Sequence, residues 1–377
     1  MKIVSITAQA IDCGFQSQKL QTSRVASPMS RFPRFAAERA SWMWPTKKVF
    51  VRAEDADGTV GWSCTNGGEI VALIVTAQLA RLLEGERVEI AESWAQMKAA
   101  LLPNDRSGFA MMAVAGVDIA LWDLAARRAG RGLVDLLGGA RAGRLPVYAT
   151  TARPEALAGQ GWHGLKAAAP YGPEAGEAGL AENIALLRRF AEAAGPGRSI
   201  MIDAFMAWDA DYALRFAEAA AGLPLKWIED PLPPDDIDGL IRLRGEMDPG
   251  IKLALGNFAF SLADCRELLR YGLADILQPD IAWAGGITEG LRILDLAAEA
   301  DTPVILHNSC EQPWALALAA ARQSAPTVEF VDRGDDSPLY ALSGPRPEID
   351  DGFVTVPTGP LHNRPPSHIA AAFGDQT

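Results

Sequence analysis

The opening stretch, MKIVSITAQAIDC, alternates apolar and polar side chains with the two-residue period of a strand that buries one face. A second such run, KKVFVRAEDADGTVGWS, is broken by Ala56-Asp57-Gly58, which predicts a hairpin turn. Between the two lies a segment rich in Pro, Arg and Trp, residues 27 to 45. Helical periodicity follows over 69–84, 88–101 and 108–129. The last of these, FAMMAVAGVDIALWDLAARR, is apolar on nearly every side, as expected of a buried helix. Residues 1–140 therefore read as an α+β unit.

After Leu136-Leu137-Gly138-Gly139 the pattern changes to short apolar runs separated by mostly helical stretches. Strands are predicted at VYAT (147–150), GLKAA (164–168), IMID (200–203), KWIE (226–229), KLAL (252–255), DILQ (275–278), PVIL (303–306) and VEFV (328–331). Among the helices, Leu180, Ile184, Leu187 and Ala191 share one face, and Ser261 with Asp264 resembles a capping box. Eight strands at this regular spacing predict an α/β fold with a closed parallel barrel over 141–343. An open doubly wound sheet is the alternative. No Gly-x-Gly-x-x-Gly follows the first strand, which weakens the dinucleotide-binding version of it. Residues 344–377 are rich in Pro, show no helical pattern, and are expected to run back over the first unit.

Composition narrows the function. About half of the 377 residues are apolar, as in a soluble globular chain, and the formal net charge is −12. Nucleic acid is an unpromising partner without clustered Lys and Arg. An acidic protein that binds acids needs a local cation, such as a metal. Cys13, Cys64, Cys265 and Cys310 are scattered with no C-x-x-C pair, which argues against a disulfide framework or zinc site and fits the reducing cytoplasm. The N-terminus lacks a long apolar core of the signal-peptide kind, and no run of 18 apolar residues occurs, so no membrane partner is expected.

A barrel carries its chemistry at the C-terminal ends of its strands. Here the third strand ends at Asp203, the fourth at Glu229, and the fifth runs into Asn257. Asp280 follows the sixth, His307 the seventh, Glu329 lies on the eighth, and Lys166 lies within the second. Asp203 to Glu229, Glu229 to Asn257 and Asp280 to His307 are 26, 28 and 27 residues apart, one strand–helix unit each. Three successive strands thus offer oxygen ligands of the kind Mg2+ prefers. The next two offer an Asp beside a His, and a carboxylate on one imidazole nitrogen leaves the other free as a base. Taken singly, each has a plain structural explanation. Asp203 fits a helix N-cap, Glu229 a loop carboxylate beside Asp230-Pro231, Asp280 a turn, His307 a satisfied core histidine and Lys166 a surface lysine. Lys166, Asp203, Glu229, Asp280, His307 and Glu329 on six strand ends favour a common site.

These residues and several longer runs resemble the mandelate racemase branch of the enolase superfamily, and within it the L-rhamnonate dehydratases. The likeness is carried by Lys166 with Pro170-Tyr171-Gly172-Pro173, by KWIEDPLPPDD (226–236) and by DILQPDIAWAGGITEG (275–290). Upstream it is carried by SPMSRFPRF (27–35), ADGTVGWSCTNGGE (56–69), GVDIALWDL (116–124), LLGG (136–139) and YATTARP (148–154). The resemblance implies a capping α+β domain on a modified (β/α)7β TIM-type barrel, with substrate held between cap loops and strand ends. It implies Mg2+ on Asp203, Glu229 and residue 257, an Asp280–His307 base, Lys166 as an electrostatic donor, Glu329 near the substrate carboxylate, and a homo-oligomer. The implied reaction is removal of the proton beside a carboxylate and loss of the β-hydroxyl, giving a 2-keto-3-deoxy acid from a small acid sugar. A Lys or His base working with Mg2+ to stabilise an enediolate is the general pattern of this superfamily's sites. Racemisation or epimerisation of an α-hydroxy acid, and a non-catalytic binding protein with a degenerate metal site, remain as alternatives.

The chain departs from that pattern in three places. Asn257 stands where the family has a third acidic ligand. Ala168 stands where the branch often has a second lysine, which leaves racemisation short of a second base. The stretch Lys19 to Arg24 lacks the histidine of rhamnonate dehydratases, although Arg39 matches a family arginine that reaches the substrate. The segments Trp42-Met43-Trp44-Pro45 and Asn308 to Trp314 are individual to this chain, and neither Cys310 nor Glu311 has an assignable role. With a neutral third ligand the site is expected to bind Mg2+ weakly. Calorimetric titration should find tighter binding in Asn257→Glu than in the wild type, and equal affinities would refute this.

Overall fold

In the computed structural model, residues 1–12, 25–35, 47–333, 347–357 and 367–374 are described. Arg39, Cys13, the stretch Lys19 to Arg24, Trp42 to Pro45 and the 343/344 boundary lie outside them.

The alternating runs at the N-terminus form β1 (Ile3–Ile11), β2 (Lys48–Asp55) and β3 (Val60–Thr65), one antiparallel sheet in that order. The β2–β3 turn falls where Ala56-Asp57-Gly58 places it. Asp55 accepts backbone N–H bonds from Asp57 and Thr59, and Gly58 takes the left-handed φ of +78°. Helices α1 (Gly68–Ile74) and α2 (Ala80–Leu83) are joined by a π-helical turn and followed by α3 (Ile90–Leu101) and α4 (Gly108–Ala129). By length and composition α4 could cross a bilayer, yet its apolar surface is buried inside the protein. It packs against β2, β3, α1 and α3 on one side and against the barrel on the other. A short α5 (Leu133–Leu136) leads to the barrel.

The predicted parallel strands follow. They are β4 (Arg144–Thr150), β5 (Gly164–Ala168), β6 (Ser199–Asp203), β7 (Leu225–Glu229), β8 (Lys252–Leu255), β9 (Ile276–Leu277) and β10 (Val328–Val331). Strands β4 to β9 pair in parallel in chain order, ending at β8 with β9, and β10 returns to pair in parallel with β4. The seventh predicted strand, PVIL, forms a single parallel bridge, Leu277 to Val304, in which the Leu277 N–H donates to the Pro303 carbonyl and the Ile305 N–H to the Leu277 carbonyl. Pro303 removes a donor from it, and a turn at Asn308 (φ +51°) follows at once. The seam to β10 is closed partly by a side chain: Ser309 Oγ accepts from the Glu329 N–H, and the Cys310 N–H donates to the Glu329 carbonyl.

The intervening helices are α6 (Gly176–Ala194), α7 (Ala210–Ala219), α8 (Ile237–Glu246), α9 (Leu262–Arg270), α10 (Gly286–Glu299) and α11 (Pro313–Ala321). Leu180, Ile184 and Leu187 are buried, as their spacing requires. Ser261 caps α9 as expected, but Asp264 reaches back to the Phe260 N–H rather than to that of Ser261, so the box is not closed on the cap residue itself. Between β4 and β5 the chain makes only a 3-10 turn, Pro154–Leu157, not a crossover helix. After β10 the chain adds a small hairpin, β11 (Ile349–Asp350) and β12 (Phe353–Thr355), on the N-terminal end of β4. Contrary to the tail's sequence pattern, a short helix spans Ser367–Ala372. Ile369 there packs on Phe50, and Phe373 meets Trp62 edge-on at 5.0 Å.

The cap is bolted to the barrel at the start of α10. Asp118 of α4 accepts from the Thr288 N–H at 2.9 Å and from its hydroxyl, while the Trp94 indole donates to the Gly285 carbonyl at 2.7 Å. Gly286 has φ +86°, and a Cβ there would lie 2.5 Å from Asp118 Oδ2. The Gly-Gly of WAGGITEG therefore serves this junction. Within the cap the backbone comes close at Gly61, where a Cβ would stand 2.2 Å from the Ala120 carbonyl and 2.5 Å from the Leu124 nitrogen. Gly61→Ala should destabilise the protein by roughly 3 kcal/mol through overpacking against backbone. A urea midpoint unchanged from wild type would show that α4 can shift away from β3.

Candidate active site

Lys166 is not a surface lysine. It projects from β5 into the barrel and is 1% exposed. Its Nζ lies 2.7 and 2.6 Å from the two Glu229 oxygens and 2.8 Å from Glu329 Oε1. Below it the lumen is floored by Tyr148, Met201, Trp227, Ala254, Ile276 and Ile305. Burial alone would lower the lysine's pKa, but Glu229 and Glu329 outweigh it and hold the ammonium well above its ordinary value. The two carboxyls diverge. Burial, with Asp203 and Glu329 nearby, pushes Glu229 up to about 7 despite Lys166. For Glu329 the burial penalty is overcome by Lys166 and His307, which bring it down to about 2. These two groups share one ammonium, and the direction that the geometry supports is the ordering: Glu329 is the firmer anion, because it also accepts from Thr150 Oγ at 2.6 Å and from the Asn308 N–H at 2.9 Å.

Asp203 and Glu229 are register partners on β6 and β7, which places both carboxylates at one height. Asp203 does not cap α7; Asp209 does so, while Asp203 Oδ1 accepts from the Phe205 N–H at 2.8 Å in a turn where Phe205 and Met206 both have positive φ. Asn257 follows Gly256, whose φ of +122° turns the chain against the backbone of Gln278 and Pro279. Asn257 is 4% exposed, and its Oδ1 is a buried acceptor with no hydrogen-bond partner. Such an atom is costly unless something supplies a positive charge or a proton. Among the described residues no three carboxylate, histidine or cysteine side chains converge as a metal cage. The set Asp203, Glu229 and Asn257 supplies oxygen donors only, two of them anionic, and an orphaned carbonyl oxygen. That chemistry fits a hard divalent cation such as Mg2+.

The second half of the site is the pair His307 and Asp280. His307 Nδ1 is 2.9 Å from Asp280 Oδ2, and Asp280 Oδ1 accepts from the Ala282 N–H at 2.9 Å. Neither is the solitary turn or core residue that each resembles in isolation. His307 lies against the Trp283 ring, with centroids 5.6 Å apart. Burial lowers the imidazole's pKa, but the Asp280 bond and the Glu329 charge outweigh it and raise it above the ordinary value.

Lys166, Glu229, Glu329, Asp280 and His307 are thus brought together, with Asp203 and Asn257 beside them at the strand ends; Arg39 lies outside the described residues. Two further residues of the site are unmarked in the sequence. Asp230, next to Glu229, which is buried rather than a loop carboxylate, is 6% exposed, accepts from the Gly256 N–H at 3.3 Å, and has its carboxyl pushed far up by burial and by Glu229. Gln312 touches Asp280 from the start of α11, and nothing in its local pattern singles it out. Glu311, for which no role was assignable, pairs with Arg333 at 3.1 Å, and Cys310 is a buried thiol whose pKa burial raises.

Residues 150–360 match the family model described as enolase C-terminal domain-like, and residues 30–138 match that of the mandelate racemase / muconate lactonizing enzyme N-terminal domain. The chain is 38% identical over 311 residues to an L-rhamnonate dehydratase of Saccharopolyspora erythraea, covering 81% of this chain and 79% of that protein. It superposes on the crystal structure of rhamnonate dehydratase from Gibberella zeae complexed with Mg with a TM-score of 0.90 at 28% identity, covering 98% and 95% of the two chains. A racemase from Streptomyces coelicolor with bound magnesium gives a TM-score of 0.77 at 25% identity, covering 96% of each chain.

Lys166 carries the electrostatics of this site. Lys166→Met, which leaves Glu229 and Glu329 buried without a cation, should cost about 3–5 kcal/mol of stability near neutral pH. Chemical denaturation checks this, and a wild-type midpoint in the variant would show that the carboxyls do not need the ammonium.

Proposed function

Because the chain belongs to the mandelate racemase / muconate lactonizing enzyme family of the enolase superfamily, we propose that it is a Mg2+-dependent lyase that dehydrates an acid sugar, with L-rhamnonate or a similar six-carbon aldonate as first candidate. The observation that carries this reading is the His307–Asp280 pair set beside the Lys166–Glu229–Glu329 cluster. The relatives named L-rhamnonate dehydratase supply the substrate class.

Asp203, Glu229 and Asn257 would hold the Mg2+, which when bound supplies Lewis-acid stabilisation of the charge that develops on the substrate carboxylate. The chain's own residues do the rest. Asp280 keeps a proton on His307 Nδ1, so Nε2 presents a lone pair. Nε2 takes the proton from the carbon beside the carboxylate. The carbon–oxygen bond at the β position then breaks, and the proton held by His307 leaves with the hydroxyl as water. The resulting enol tautomerises to the 2-keto-3-deoxy acid. Lys166 would donate toward the substrate carboxylate, with Glu329 holding its ammonium in place, and Arg39 matches a family arginine that reaches the substrate. In this reading the cap is residues 1–140, the barrel 141–343, and 344–377 the return.

Racemisation is disfavoured by Lys166 itself. Among the described residues the other candidate base is an ammonium held between two carboxylates with its pKa raised, and position 168 is Ala. A screen of acid sugars with Mg2+ should release a keto acid that reacts with semicarbazide, and His307→Asn should abolish it. Activity surviving in that variant would remove His307 as the base. Deuterium exchange without keto-acid release would favour the racemase.

A further inference from the structure

We infer that Gln312 is a positioning residue for the His307–Asp280 pair, its amide fixing the Asp280 carboxylate so that His307 presents Nε2 as the free base. This rests on the proposal that His307 abstracts the proton.

Gln312 Nε2 lies 3.1 and 3.2 Å from the two Asp280 oxygens. The Ala282 N–H donates to one of those oxygens and His307 Nδ1 meets the other, so the carboxylate is held from three sides. The direction of the Gln312 amide is set by a fourth residue. Trp314 Nε1 donates to Gln312 Oε1 at 2.9 Å, and Trp314 is 3% exposed. An indole N–H can only donate, so Oε1 must face Trp314 and Nε2 must face Asp280. A carboxylate can only accept, so the polarity runs without choice from Trp314 through Gln312 to Asp280, and the imidazole must donate from Nδ1. Asn308 Nδ2 also lies 3.1 Å from Nδ1, but the carboxylate is the partner there that can accept the Nδ1 proton. Gln312 immediately precedes Pro313, whose ring fixes φ at the first position of the buried helix α11. The amide is therefore carried on a rigid support.

The charged groups facing His307 are Asp280 on its own side, Glu329 on β10 and Lys166 on β5. An N–H donated to Asp280 competes with the imidazolium for the carboxylate's charge. Removing it leaves the imidazolium better stabilised, so His307 should hold its proton to higher pH.

The test uses Gln312→Leu, which removes the amide, and Gln312→Glu, which keeps its length but replaces the donor by oxygen. Histidine NMR on the free protein, with His307→Asn identifying the signal, reads pKa and tautomer directly. The His307 pKa should rise by about half a unit in Gln312→Leu and further in Gln312→Glu, where a like charge is added beside Asp280. The acid limb of kcat/KM should move to higher pH by the same amount, with kcat reduced about tenfold and KM little changed. A side chain that merely packs would lower stability without moving the titration. An unmoved or lowered His307 pKa in a variant that unfolds at the wild-type midpoint overturns the inference. Because the NMR titration needs no substrate, a raised pKa in a protein that dehydrates nothing would sink the dehydratase reading and leave the positioning role standing.

Discussion

The buried ammonium of Lys166 is the constraint around which the barrel interior is organised. A charge in a lumen floored by Tyr148, Trp227 and Ile305 is tolerable only if it is paired and hydrogen-bonded. Glu229 and Glu329 meet that demand, one from β7 and the other from β10. Each must itself be placed to within a few tenths of an ångström. Glu329 is tied to Thr150 on the neighbouring strand and to the Asn308 backbone, and Glu229 to the Trp227 indole. The ion cluster therefore links four strand positions around the lumen, and the barrel's register and the site's electrostatics are one problem.

The same coupling appears at the seventh strand. It bonds to the Leu277–Pro279 stretch on one side, but the turn at Asn308 ends it, and the seam to β10 relies on Ser309 Oγ and one backbone bond at Cys310. That irregularity brings the His307 imidazole beside Asp280 and then carries the chain through Gln312 into α11. A regular strand would have continued along the barrel wall. The loss of ladder bonds is offset by polar contacts that serve the site, an instance of local irregularity concentrated where chemistry is done.

The cap contributes by being rigidly attached. Asp118, Trp94, Trp122 and Thr65 all reach the segment from Ala282 to Thr288, which directly follows Asp280. The loop that holds the dyad's carboxylate is thus braced by residues remote in sequence. The glycines of the run DILQPDIAWAGGITEG accommodate Asp118 and Met111, and its Thr288 and Glu289 bond to Asp118 and Lys98 of the cap.

Much of this was legible in the chain itself. Alternation marked β1 to β3, apolar runs marked β4 to β10, and spacings of one strand–helix unit lined up Asp203, Glu229, Asp280 and His307, because periodicity is a local consequence of backbone geometry. The tail helix at Ser367–Ala372 and the 3-10 crossover after β4 were not legible, since neither carries enough residues to show a period; the first is held by contacts with β2 and β3, the second by contacts with α6. Nor could the sequence tell that Lys166 was buried, that Asp230 was out of water, that Asn257 Oδ1 lacked a partner, or that Gln312 grips Asp280 from 32 residues away. Residue type and spacing determined which groups could do the chemistry. Which of them share a charge, a proton or a hydrogen bond was decided only by the folded structure, because those interactions act through space over a few ångströms between residues far apart along the chain.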